Sequence, residues 1–145
     1  MGRNRGFTTI EAVMVLLIVA VVVGSLIPTL HRQLTHARIN RGANVLASDL
    51  LQAQSLAARQ HSPVTVIFNQ ALKSVYIKRT VVGDTLVRRN YGAGSDFNFQ
   101  TFTPNVGSAI VFPNGMCSAS VTITISGESL TRTITMSRAG QVRIS

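Results

Sequence analysis

Glu11 is a single acid at the lip of an uncharged run that extends from Ala12 to Leu30, and it stands five residues beyond Gly6, which itself follows Arg3 and Arg5. A carboxylate drawn into a membrane segment costs about 2.5–3.5 kcal/mol on insertion scales, so a residue of this type in this place calls for a partner or a job. Arg138 and Arg143 flank Gly140 near the carboxyl end and could hold phosphates, in binding that would be non-specific and steeply salt-dependent. Alternatively Arg143 is the outward residue of an edge strand between inward Val142 and Ile144, a common way to blunt an edge. Other reactive groups are scattered. His31, His36 and His61 lack the i, i+4 spacing of helical zinc ligands and have no cysteine cluster near them. Cys117 is a lone thiol in an apolar-flanked stretch, which suits a small core residue better than a nucleophile. No Gly-x-Ser-x-Gly elbow and no paired carboxylates occur. The sequence thus argues no metal, no cofactor and no enzyme, and leaves function to assembly and surface contacts.

These residues must be positioned by a chain of 145 residues, long enough for one membrane helix and one small domain with its own core. The uncharged run would span about 28 Å as a helix, close to the hydrocarbon thickness of a bilayer. Its charged flanks, Arg3 and Arg5 before and Arg32, Arg38 and Arg41 after, leave the orientation open on the positive-inside rule. Beyond it Ile39, Ala43, Leu46, Leu50, Ala53 and Ala57 recur at spacings of three and four, one face of a helix. Arg38, Arg41, Asn44, Asp49, Gln52, Gln54 and Arg59 fall mostly elsewhere, so the segment reads as an amphipathic continuation that ends near Gln60, before Pro63. After Pro63 the period becomes two. Strands are expected at Val64–Phe68, Ser74–Arg79, Thr85–Tyr91, Asp96–Thr103, Ala109–Phe112, Ala119–Ser126, Leu130–Ser137 and Gln141–Ile144. The clearest hairpin sets Val121, Ile123 and Ile125 against Leu130, Ile134 and Met136, with threonines on the opposite face. With Cys117 the only cysteine, packing alone must hold the domain. Lys and Arg number 14 against five acids, a formal charge of +9, which favours anionic partners without naming one.

The start of the chain resembles the type IV pilin and pseudopilin family, whose pattern is a short basic leader ending in Gly, then Phe, a glutamate at the fifth mature position and about twenty apolar residues. Here these are Met1–Gly6, Phe7 and Glu11, with Thr9 and Ala12 where leucines are usual. An ordinary secretory signal would place its cleavage site after the apolar core, not before it. The resemblance implies cleavage between Gly6 and Phe7 by a prepilin peptidase, methylation of the freed amine of Phe7, and pairing of Glu11 with the amine of a neighbouring subunit's first residue. It also implies a helix kink at Pro28, the twenty-second mature position. Ile110-Val111-Phe112-Pro113-Asn114-Gly115 and Arg138-Ala139-Gly140-Gln141-Val142-Arg143-Ile144 are similar to motifs of the secretion-pseudopilin H and FimT branch, with Gln141 in place of the first arginine of Gly-Arg-x-Arg.

The expected fold is therefore α+β: a long kinked N-terminal helix, membrane anchor plus amphipathic spine, packed on a C-terminal antiparallel β-sheet or sandwich. The expected division is a leader at 1–6, a transmembrane half at 7–30, an amphipathic half at 31–62 and a periplasmic β domain at 63–145. The resemblance implies a structural subunit of a type II secretion pseudopilus or type IV pilus in the bacterial inner membrane, with its amino terminus cytoplasmic. Its partners would be other pilin subunits, the prepilin peptidase and the inner-membrane assembly platform. The alternative is a minor pilin that binds DNA for uptake through Arg138 and Arg143.

Overall fold

The computed structural model describes residues 9–128 and 130–145, and for 25–31 the backbone alone. Helix α1, Thr9–Gln60, is followed by eight strands: β1 (Val64–Asn69), β2 (Ser74–Arg79), β3 (Thr85–Asn90), β4 (Thr101–Pro104), β5 (Ser108–Val111), β6 (Val121–Ser126), β7 (Thr131–Met136) and β8 (Val142–Ile144). The chain divides into two compact units, Met1–Leu34 and Thr35–Ser145. In the first, the described part is helix. The second is α+β, a helix packed on antiparallel sheets, and it holds the core.

Helix α1 stops where the sequence ceases to support it. His61 takes a left-handed backbone, φ 48°, and the amide of Ser62 donates back to the Ala57 carbonyl at 3.3 Å, a closing turn that satisfies a terminal carbonyl just before Pro63. All six residues of the apolar stripe, Ile39 to Ala57, are buried. Gly42 joins them: the Phe99 ring lies where a side chain on Gly42 would stand, so the smallest residue lets an aromatic ring meet the helix backbone.

Two four-stranded antiparallel sheets complete the core, in the orders β3-β2-β1-β5 and β4-β6-β7-β8. Period two sorts their residues. Val64, Val66 and Phe68 of β1 and Val121, Ile123 and Ile125 of β6 are buried, while the residues between them are half-exposed. Opposite β6, Ile134 and Met136 sit across from Ile123 and Val121, and Thr122 and Thr124 face Thr135 and Thr133. Cys117 is buried, and its neighbour Val111 bridges to it.

Most strand ends shift by a residue or two, but one segment is different in kind. The strand expected over Asp96–Thr103 exists only as Thr101–Pro104. Phe99 and Phe102 are both buried, and an unbroken strand would have sent an odd and an even residue to opposite faces. The chain solves this with a turn. Asn98 adopts φ 46°, Ser95 Oγ accepts from its amide at 3.2 Å, and the Phe99 amide donates to the Tyr91 carbonyl at 2.9 Å. Tyr91 then stacks on Phe99 with ring centroids 5.4 Å apart. At the carboxyl end Ile144 is 40% exposed, so the expected inward placement fails there: β8 is short and lies at the sheet's edge, and only Val142 packs on the core.

Candidate functional site

The first turn of α1 carries Glu11, exposed and without a hydrogen bond or ion pair among the described residues. Around it the helix is apolar on every side: Val13 to Val19 are consecutive hydrophobics, each about half exposed or more. A helix of that kind needs an apolar medium or a partner around it. Among the described residues no helix is long and apolar enough to cross a membrane, and the described side chains of the apolar run stop at Gly24. Gly6 and Phe7 lie outside the described residues. Pro28 falls within α1, where the backbone is helical, and its side chain lies outside the described residues.

At the other end, the turn after β7 places the two arginines. Gly140 donates to the Ser137 carbonyl at 2.9 Å with φ 83°, the Gln141 carbonyl accepts from the Ser137 amide at 2.9 Å, and β8 follows. The turn is held from the helix. Gln54 Nε2 donates to the Gly140 carbonyl at 2.7 Å and reaches the Gly115 carbonyl at 3.4 Å. A methyl on Gly140 would run into that same Gly115 carbonyl, so the two glycines singled out in the sequence belong to one junction. The Arg138 carbonyl accepts from the Cys117 amide at 2.8 Å, while its guanidinium is exposed.

Arg143 lies opposite Thr135 on the outer face of the second sheet, also exposed. It lines an open depression of about 350 Å³ with Ser120, Thr135, Ser137 and Gln141; Arg138 is not part of that lining. Neither guanidinium has a hydrogen-bonding or ionic partner among the described residues. Both are thus free to meet an anion, but only Arg143 does so from a concave surface.

A third cluster was not visible in the sequence. Asp49 is 3% exposed and accepts from Tyr91 Oη at 2.6 Å and Arg89 Nε at 2.8 Å. This ties the middle of the spine to the edge of the first sheet and to the aromatic turn. Burial first, then the Asp49 carboxylate, push the Tyr91 phenol well above its ordinary range, so it stays a donor. Asp49 stands three residues after Leu46 and four before Ala53, which places it at the border of the apolar stripe and not on the outer face. That spacing was the available signal. Both bonds fall on Asp49 Oδ2, and among the described residues no group of three or more His, Cys, Asp or Glu side chains could hold a metal.

A family profile described as Type II transport protein GspH matches residues 42–140, the later part of the spine and nearly all of the β domain. No curated protein sequence matches the chain. Among solved structures the chain is similar to the type IV minor pilin FimU of Pseudomonas aeruginosa, with a TM-score of 0.63 at 17% identity over 76% of this chain and 90% of that one. A second crystal form of FimU gives 0.58 at 18% identity, over 73% and 91%. The minor pseudopilin EpsH of the type 2 secretion system of Vibrio cholerae gives 0.52 at 12% identity, over 74% of this chain and 96% of that one. The fold is shared with both proteins.

Proposed function

The chain belongs to the GspH family of type II transport proteins, a family of structural pilin subunits, and we propose that it joins a thin filament drawn from the bacterial inner membrane by a type II secretion or type IV pilus machine. The observation that carries this reading is the continuity of α1. One helix holds both the bare apolar segment with Glu11 at its start and the stripe that builds the domain's core. In this reading the segment from Phe7 to Leu30 is anchored in the inner membrane with its amino terminus on the cytoplasmic side, and the domain from residue 63 onward is periplasmic. A prepilin peptidase cuts between Gly6 and Phe7, the new amine is methylated, and an assembly platform in the inner membrane takes up the product.

Glu11 then has its role by charge alone. In a lipid-like interior an unpaired carboxylate is costly, and the amine of a neighbouring subunit's Phe7 is the cation that the family pattern supplies. Only one axial stagger brings the two together, so the pair sets register. The test is Glu11→Ala: mass spectrometry should still show cleavage after Gly6 and the protein should remain in the membrane fraction, while incorporation into sheared filaments falls. Normal incorporation would remove the register role.

A second reading rests on the free guanidinium groups of Arg138 and Arg143: a minor pilin that binds DNA. Titration with duplex DNA at low and at physiological salt decides it. Binding that weakens with salt and disappears in Arg138→Ala/Arg143→Ala supports this reading; absence of binding at low salt ends it.

A further inference from the structure

Among the described residues two open sheets have four edge strands, of which one is covered and two are short. The free side of β5 is occupied, since Val111 bridges to Cys117, the Ser118 amide donates to the Ile110 carbonyl at 2.8 Å and the Ile110 amide donates to Ser118 Oγ at 2.9 Å. Strand β4 has four residues and ends on Pro104, which has no amide to donate. Strand β8 has three. Only β3 presents a full six-residue edge. Its pairing with β2 slips between Ile77 and Lys78, leaving Leu86 unpaired, and then runs in regular register from Val87 to Asn90. The slip at Leu86 and the exposed Arg88 blunt this edge against indiscriminate pairing, while the four residues beyond the slip keep their outward amides and carbonyls without a backbone partner among the described residues and can take an added strand of complementary charge.

The side chains around this edge select the partner. The β2–β3 hairpin and its flanks, residues 73–91, carry Lys73, Lys78, Arg79, Arg88 and Arg89 against one acid, Asp84. Arg89 turns inward and is neutralised by Asp49. Arg88 faces outward, exposed, with its guanidinium carbon 5.4 Å from the centroid of the Tyr76 ring opposite it. That contact holds the charge over the sheet face and leaves it unneutralised. A second copy of β3 would bring cation against cation, which disfavours self-pairing; an acidic strand is complementary.

We infer that the free edge of β3 at Val87–Asn90 accepts an extended acidic segment of another protein as an added strand, with Arg88 reading its charge. The inference rests on the sheet edge and is independent of Glu11 and the anchor. The test uses the full chain in neutral-detergent micelles and a labelled, end-blocked octapeptide of alternating Glu and Val. Controls are the same peptide N-methylated on alternate backbone nitrogens and one with Lys for Glu. Fluorescence anisotropy should show binding of the Glu peptide, weakening of about tenfold or more on N-methylation and of about tenfold in Arg88→Glu, and no binding of the Lys peptide. Hydrogen exchange should slow at amides of Val87–Asn90 when the peptide is bound. Lys78→Glu serves as a second variant, with circular dichroism to confirm the fold of each. Equal binding of the N-methylated peptide would reduce the effect to charge alone and overturn strand addition. Absence of binding, indifference to both variants, or Arg88-dependent binding of duplex DNA in place of the peptide would each overturn the inference.

Discussion

Replacing Asp49 by alanine removes the one acceptor shared by Tyr91 Oη and Arg89 Nε. The two donors do not suffer equally. Tyr91 is fully buried, so its hydroxyl is left without a partner, a penalty of about 1–3 kcal/mol. The Arg89 side chain is 40% exposed and can turn to water, so the ion-pair share is discounted to about 1 kcal/mol or less. Together these give a loss of about 1–4 kcal/mol. For a domain of this size each kcal/mol lowers the melting temperature by about 4 °C, so thermal unfolding followed by circular dichroism should show a drop of roughly 4–16 °C. Tyr91→Phe removes one donor and leaves the carboxylate on Arg89, and should cost less, about 1–2 kcal/mol. In the double variant the orphaned hydroxyl no longer exists, so the combined loss should fall short of the sum by about 1–2 kcal/mol. An Asp49→Ala protein within about 1 kcal/mol of the parent, or strict additivity with Tyr91→Phe, would refute the argument that the carboxylate is needed chiefly to satisfy a buried phenol.

The Gly140 junction predicts a contrast between two glycines of nearly equal φ, 83° and 82°. Gly115→Ala meets open space and should cost only the left-handed backbone term, about 1–2 kcal/mol, whereas Gly140→Ala adds a collision with the Gly115 carbonyl and should cost clearly more in urea unfolding. Equal losses would dissolve the junction. Because the folded state raises the pKa of Tyr91, it holds a proton that the unfolded chain releases above about pH 10, so stability is complete below that pH and declines as pH rises past it. Tyr91→Phe should flatten that decline in melting temperature measured from pH 8 to 11, and an unchanged slope would assign the loss to other groups.

Periodicity carried most of the fold. The stripe from Ile39 to Ala57, the end of α1 at Gln60 and the pairing of Ile123 with Ile134 follow from spacings of 3.6 and 2, because one buried face per element dictates them. The failures occur where a residue answers to a distant partner. The bond from the Asn98 amide to Ser95 Oγ is local, but the turn it closes brings Phe99 onto the ring of Tyr91, a partner that periodicity does not reveal. Asp49 stands by spacing at the border of the stripe, but its burial depends on Arg89 of β3 and on Tyr91 just after that strand, partners that no local pattern names. Among the candidate site residues, Arg138 and Arg143 were expected on the surface and are exposed, but their division between a turn and a depression depends on Gln54, whose partners are 61 and 86 residues away.

That hold by Gln54 also bears on the order in which the molecule comes into being. A helix residue is tied to a turn made 86 residues later, and Asn40 accepts from Arg132 across 92 residues at 2.8 Å. Contacts so far apart in sequence close large loops and slow folding. During synthesis the apolar stripe of α1 leaves the ribosome well before β6 and β7, which cover part of it, so the nascent spine passes through an interval of exposure in which it is prone to aggregate. A chaperone or translocation partner that engages α1 early and lets go once Gly140 has emerged would protect the chain through that interval.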